Sequence, residues 1–298
     1  MEPDAKGISF NDVMMGMEVM MVMKCSLIAF DLDGTLLNGD GHLSEANRRA
    51  LMDAMDKGIH VCICTGRAYN TIPEELLGFP GIEYAAANNG ASVYRIKDGC
   101  KLNGLYIDGA SVEKIIGVTS DMGVAYEAFV DGEAYAGREY IDDPVRFGAT
   151  QKAVEYVQRT RKPVDDIVKF MTEHKDELES MDIVVPCEDK KADVISKIKQ
   201  VTSDVYITSS VKQLVEISNI EGGKSTGLKF LASYLGVERE NIAAFGDADN
   251  DIDMLEYAGC GIAMDNATDN LKAVADYVTI HHNDDGVAYA FKNILGIF

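Results

Sequence analysis

Positive charge is scarce in this chain. Lys and Arg number 28 against 49 Asp and Glu, a formal charge of −21 over 298 residues. Such a balance repels nucleic acid and anionic membrane surfaces unless a local basic patch intervenes. No such run is present, and the densest stretch, Arg159-Thr160-Arg161-Lys162, reads as a solvated loop or helix end. Cysteine is sparse as well. None of the six forms a C-x-x-C pair, which argues against a structural zinc site, and free thiols of this kind fit a reducing cytoplasm. Cys62 and Cys64 flank Ile63 in an apolar run and read as packing residues on a strand. No segment approaches the roughly 18 consecutive apolar residues of a membrane span. No G-x-G-x-x-G follows an expected strand, so a dinucleotide site is unsupported. Trp is absent, which excludes nothing by itself.

Residues 1–23 are Met-rich. They lack the basic head and small-residue cleavage site of a secretory signal and read as an N-terminal extension. Two further patterns lead nowhere. Gly223-Lys224-Ser225 looks like the end of a nucleotide-binding P-loop, but the position of its required first glycine is Ser218. His281-His282 would point apart on a strand and suits a solvated loop better than a metal.

What the chain does have is 47% hydrophobic and 26% charged residues, enough for a folded protein of two ordinary domains. Short apolar runs bounded by turn residues predict buried parallel strands at 27–30, 60–64, 83–87, 241–245, 261–264 and 277–280. Helical patterns lie between many of them. One is capped by Ser44 and stopped at Gly58; others cover 225–235, 251–257 and 268–275, the last capped by Asn266 or Thr268. This alternation predicts a doubly wound (Rossmann-like) parallel-sheet α/β core. The texture changes near residue 89. Asp98-Gly99 and Asp131-Gly132 suggest hairpins, 111–122, 163–171 and 191–201 suggest helices, and 182–185, 206–209 and 214–217 suggest strands. The expected organisation is a core of 24–88 and 214–298 with an inserted α+β cap at 89–213.

Four polar clusters each follow an expected strand: Asp31-Leu32-Asp33-Gly34-Thr35, Thr65-Gly66-Arg67, Lys224 at a helix start, and Gly246-Asp247-Ala248-Asp249-Asn250-Asp251. In a doubly wound sheet the carboxyl ends of the strands share one edge, where ligands bind. A carboxylate pair is costly unless a cation or a shared proton offsets its repulsion. Carboxylates with water suit Mg²⁺; a hydroxyl, backbone amides and an ammonium suit phosphate oxygens. The set describes phosphoryl transfer. Taken singly, each cluster has an ordinary structural reading as a turn, a helix cap or a surface lysine.

Taken together, Asp31-Leu32-Asp33-Gly34-Thr35-Leu36, Thr65-Gly66-Arg67, Asn89-Gly90-Ala91, Gly223-Lys224, Gly246-Asp247-x-x-Asn250-Asp251-x-x-Met254 and Asp284-Asp285-Gly286-Val287-Ala288 resemble the haloacid dehalogenase superfamily of phosphatases, in its Cof-like branch. The resemblance runs from about Lys24 to the C-terminus. It implies a nucleophile at Asp31 and a general acid and base at Asp33. It implies Mg²⁺ held by Asp31, the Asp33 backbone carbonyl and Asp247, with Asp251 as direct or indirect acidic partner. It implies phosphate binding by Thr65, Gly66 and Lys224, with Asn250 orienting phosphate or substrate. The expected activity is hydrolysis of small phosphorylated metabolites, sugar phosphates or similar, in the cytoplasm and with no obligate protein partner. The alternatives are a phosphomutase on the same scaffold and a non-catalytic metabolite-binding relict. Tyr126, Glu127, Tyr135, Arg138, Tyr140 and Arg146 are candidate substrate-reading residues of the cap.

Overall fold

In the computed structural model, which describes residues 24–297, the apolar run Leu27–Phe30 forms β1 and is buried along its whole length. It is followed by β2 (His60–Cys64), β3 (Ile82–Ala87), β4 (Ser92–Arg95) and β5 (Cys100–Gly104). The chain then builds β6 (Ala125–Val130), β7 (Glu133–Gly137), β8 (Lys162–Val164), β9 (Leu178–Val184), β10 (Val205–Thr208) and β11 (Leu214–Asn219). It closes with β12 (Ile242–Gly246), β13 (Cys260–Ala263) and β14 (Tyr277–Val278). The extension at 1–23 lies outside the described residues.

Among the described residues the strands make two sheets. The larger has eight strands in the order β14-β13-β12-β1-β2-β3-β4-β5. Neighbours from β14 to β3 pair in parallel; β4 and β5 are antiparallel additions. From β1 the chain winds outward through β2 and β3, then later through β12 and β13 on the other side, so the order reverses between β1 and β12. That reversal is where an open α/β sheet leaves a crevice at the carboxyl ends of its strands. Helices Glu45–Asp56 and Gly286–Asn293 cover one face, packing Leu51, Phe291 and Val287 onto Phe30 and Phe245. Helices Lys224–Leu235, Ile252–Tyr257 and Asp269–Val274 cover the other, with Leu228, Leu231, Met254 and Leu271 in its core.

The smaller sheet has six strands, β10-β11-β9-β6-β7-β8. Helices Gly109–Thr119, Ile167–Glu173 and Glu188–Val201 lie on one of its faces, around Val112, Ile115, Met171, Met181, Ile183 and Val194.

Several expectations need correction. The expected boundaries at 89 and 214 do not match the sheets. The hairpin at Asp98-Gly99 continues the larger sheet, because β4 folds back antiparallel on β3, and β11, placed with the core by sequence, is an inner strand of the smaller sheet. Segment 163–171 is not one helix: Pro163 sits in edge strand β8, and Asp166 caps a helix starting at Ile167 by accepting from Lys169 N. Strand β14 is at the sheet edge with Tyr277 and Val278 exposed. His281 and His282 lie in a turn with their rings 4.6 Å apart, and His282 Nδ1 is 2.8 Å from the Leu37 carbonyl oxygen.

Candidate active site

Asp31 leaves β1 with its amide donating to the Phe245 carbonyl of β12 (3.0 Å), which ties the first loop to the loop after β12. Asp31, Asp247 and Asp251 each offer a carboxylate oxygen within 4.8 Å of the others. The turn after Asp31 is shaped for this approach. Gly34 has φ +82°, and a Cβ there would fall 2.4 Å from Asp247 Oδ2. The glycine therefore both adopts a left-handed conformation and admits the second carboxylate. Thr35 Oγ1 donates to Asp247 Oδ1 (2.9 Å), and Asn266 Nδ2 donates to the Gly34 carbonyl (2.8 Å).

Lys224 starts its helix fully buried. Its ammonium donates to Asp31 Oδ1 (2.5 Å) and to Asp251 Oδ1. Burial opposes that charge, but Asp251 and Asp31 more than offset it and raise the Lys224 pKa above the ordinary lysine value. The other oxygen of Asp251 accepts from the amides of Asp247 (2.9 Å) and Ala248 (3.0 Å). Asp251 is thus occupied on both oxygens by short bonds; Asp247 accepts from Thr35 on Oδ1 and only at 3.5 Å from Asn266 Nδ2 on Oδ2, and Asp31 accepts from Lys224 on Oδ1. Burial pushes Asp31 up to about 7, with Lys224 opposing and Asp251 and Asp33 adding to the rise. Burial, then Asp31 and Asp251, push Asp247 up to about 9. Such a pair in one crevice calls for a cation. Hard, closely spaced carboxylates admitted by a glycine fit a divalent ion of the Mg²⁺ type.

Asp33 takes a different place. Its carboxylate is not among the three that converge and accepts a two-armed bond from Arg67: Nε to Oδ2 at 2.7 Å and Nη2 to Oδ1 at 2.6 Å. The Asp33 carboxylate is therefore not part of the acidic group, which is compatible with an expected metal contact through its backbone carbonyl only. Thr65 is buried at the end of β2, with its hydroxyl accepting from Arg67 N (3.2 Å) and its carbonyl from Asn89 N (3.0 Å). Gly66 is packed against the Glu216 and Asn89 side chains. Asn250 is buried and donates to Asn89 Oδ1 (2.9 Å); Asn89 in turn donates to Glu216 Oε1 (3.0 Å).

Sequence reasoning brings together Asp31, Asp247, Asp251 and Lys224; it quotes Arg67 and Asn89 within motifs and Asn266 as a possible helix cap without giving them a site role, and it does not single out Glu216. Asn88 and Asn89 both have positive φ (51° and 50°), as the Asn-Asn-Gly turn containing the quoted Asn89-Gly90-Ala91 motif favours. The sequence offers Asn266 or Thr268 as the cap of one helix, and a helix cap is the ordinary structural reading of Asp249. Thr268 is the cap, accepting from Leu271 N, and Asp249 accepts from Thr268 and Asn270. Of the candidate cap residues, Tyr126 is turned to the helix-covered face, bonded to Thr119, while Arg138 and Arg146 form exposed ion pairs.

A family model described as haloacid dehalogenase-like hydrolase matches residues 28–291. The chain belongs to that family. Within it the enzyme is a phosphatase of the Cof-like branch. This haloacid dehalogenase-like hydrolase is 31% identical over 287 residues to the 5-amino-6-(5-phospho-D-ribitylamino)uracil phosphatase YitU of Bacillus subtilis, covering 93% of this chain and 100% of YitU. It is 31% identical to the phosphatase YwpJ of the same organism, over 90% of this chain and 99% of the other. A solved haloacid dehalogenase-like hydrolase from B. subtilis superposes with a TM-score of 0.78 at 28% identity, over 91% of this chain and 100% of its own. Among the described residues no helix is long and apolar enough to cross a membrane.

Proposed function

We propose that this hydrolase is a Mg²⁺-dependent phosphatase of small phosphorylated metabolites that works through an aspartyl-phosphate on Asp31. The observation that carries the reading is the meeting of Asp31, Asp247 and Asp251 within 4.8 Å, with the Lys224 ammonium on Asp31 and Asp251. Asp31 and Asp247, with the Asp33 carbonyl, would hold Mg²⁺, which when bound supplies Lewis-acid charge neutralisation to the transferring group.

The chain's own residues do the rest. The Asp31 carboxylate attacks phosphorus in line with the leaving oxygen, forming an acyl phosphate and releasing the alcohol. Lys224, fixed beside Asp31, neutralises charge on the phosphoryl oxygens, and Thr65 with the Gly66 amide holds them. Asp33 delivers a proton to the leaving oxygen, then takes one from the water that attacks the phosphorus of the acyl phosphate. Both Asp33 oxygens accept from Arg67 here, so this transfer requires one of them to be released. Asn250 and Asn89 position the loop after β12 against the Thr65 loop.

The test is a screen of phosphorylated sugars, polyols and nucleotides, including the compound named for YitU, scored by inorganic phosphate release with Mg²⁺ and with chelator. Release that requires Mg²⁺ supports the reading. A product that keeps its phosphoryl group at a new position would favour a mutase.

A further inference from the structure

Glu179 is fully buried near the start of β9, where the ladder with β6 breaks step. Phe129 pairs with Ser180 and Val130 with Leu178, so Glu179 is the extra residue of a β-bulge. A bulge re-aims its side chain out of the regular alternation. Here the carboxylate crosses from the smaller sheet to the larger one. Its Oε1 accepts from the Lys101 ammonium of β5 (2.5 Å) and, at 3.5 Å, from the Tyr94 hydroxyl of β4. Its Oε2 accepts from Asn88 Nδ2 (2.6 Å) and, at 3.3 Å, from the Gly132 amide. The Lys101 pair alone would satisfy a buried acid; the Asn88 arm is the part that calls for a reason.

Asn88 and Asn89 stand consecutively in left-handed backbone, which residues with a Cβ hold only where their surroundings impose it. Gly90 completes the turn at φ +81°, and a Cβ there would fall 2.3 Å from the Gly223 carbonyl oxygen. This turn joins the elements proposed to grip the phosphoryl group. The Asn88 amide donates to the Arg67 carbonyl (2.9 Å) and the Asn89 amide to the Thr65 carbonyl (3.0 Å). The Gly223 amide, one residue before Lys224, donates to the Asn89 carbonyl (3.1 Å). The Asn88 side chain is fully buried and its Oδ1 has no partner, so its bonding rests on Nδ2. That nitrogen reaches Ser92 Oγ only at 3.5 Å, which leaves Glu179 as its one short bond.

We infer that Glu179 is a positioning residue for phosphoryl transfer: through Asn88 it holds the Asn88–Gly90 turn in its left-handed form and so sets the Thr65-Gly66-Arg67 loop against the start of the Lys224 helix. This rests on the phosphatase reading above. Glu179 touches neither the three converging aspartates nor Lys224, so its effect passes through the turn. The position of the phosphate-binding groups then depends on a side chain supplied by the smaller sheet.

The experiment uses the full chain with Mg²⁺ and p-nitrophenyl phosphate, and reads kcat, KM and the Ki of inorganic phosphate at a temperature where circular dichroism shows each variant folded. Glu179→Ala should raise the phosphate Ki and lower kcat/KM, each on the order of tenfold, the scale of one lost hydrogen bond to a charged group. Mg²⁺ affinity by calorimetry should stay within about twofold, because Asp31 and Asp247 bond to Lys224, Thr35 and Asn266 and not to the turn. Glu179→Gln keeps an acceptor oxygen for Asn88 and drops the charge facing Lys101. It should recover most of the phosphate Ki while its unfolding midpoint stays below that of the wild type. Asn88→Gly adopts the left-handed backbone with no side chain to hold. In that background, adding Glu179→Ala should change the phosphate Ki by less than about threefold. A Glu179→Ala variant that unfolds earlier but keeps the wild-type Ki and kcat/KM when folded would overturn the inference and leave a phosphatase. An equal loss with and without Asn88→Gly would overturn it too. A wild type that does not hydrolyse p-nitrophenyl phosphate and does not bind phosphate would overturn both readings.

Discussion

Arg67 holds Asp33 by both carboxylate oxygens, at 2.7 and 2.6 Å, while its guanidinium lies over the ring of Tyr156 in the helix Ala153–Thr160. The residue proposed to move protons is thus gripped by an arginine that also stacks on a ring of that helix. Lysine cannot reproduce a planar two-armed contact that also stacks on a ring. Arg67→Lys and Arg67→Ala should therefore both lower kcat, by roughly the 10²-fold scale of disturbed acid–base catalysis. Mg²⁺ affinity by calorimetry should change little, because Arg67 touches none of Asp31, Asp247 and Asp251. A large loss of metal affinity would mean that Arg67 acts through the acidic cluster instead.

Gly34→Ala places a methyl 2.4 Å from Asp247 Oδ2 on a residue with φ +82°. The backbone cost alone is about 1–2 kcal/mol, and Asp247 must also move. Mg²⁺ affinity and phosphate release should fall together, by tenfold or more on the order of one displaced ligand. Thermal unfolding with chelator measures the backbone part separately.

Lys224→Met removes the cation from between two buried carboxylates. Breaking a buried ion pair on one side costs about 3–5 kcal/mol, which for a chain of this size lowers the unfolding midpoint by roughly 10 °C. Activity should vanish even below that midpoint. A variant of unchanged stability would show that the ammonium does not hold Asp31 and Asp251 together.

Asp31 and Asp247 are raised from 3.8 to about 7 and about 9. The metal-free folded protein therefore binds more protons than the unfolded chain across this range. Their contribution to stability is full below the unfolded value and is lost as pH rises through about 7 and then about 9. The midpoint measured with chelator should fall as pH is raised from about 6 to about 9. Mg²⁺ displaces these protons, so its binding should release protons, tighten with pH and stabilise most at the alkaline end. Calorimetry in buffers of different ionisation heat measures the proton release.

The alternating core was legible because each buried strand is a short apolar run ended by turn residues, and Asp31, Lys224, Asp247 and Asp251 stand where such runs stop. The sheet edges were not legible. Strands β4 and β5 carry the same hairpin pattern whether they extend one sheet or begin another, and only the antiparallel pairing of β4 with β3 decides it. The same limit hid β11, whose partner β9 is some thirty residues earlier in the chain. Arg67 and Glu216 were missed as site residues for a related reason: what each does depends on a partner, Asp33 or Asn89, that pattern and spacing do not place beside it.

The most direct test of the central claim uses Asp33→Asn with an aryl phosphate, whose leaving group needs no proton. Slowed hydrolysis should let the phosphoryl group accumulate on the enzyme, and mass spectrometry of acid-quenched protein should find one phosphoryl group on Asp31. Turnover with no phosphorylated peptide in this variant, or a phosphoryl group on another residue, would contradict the account.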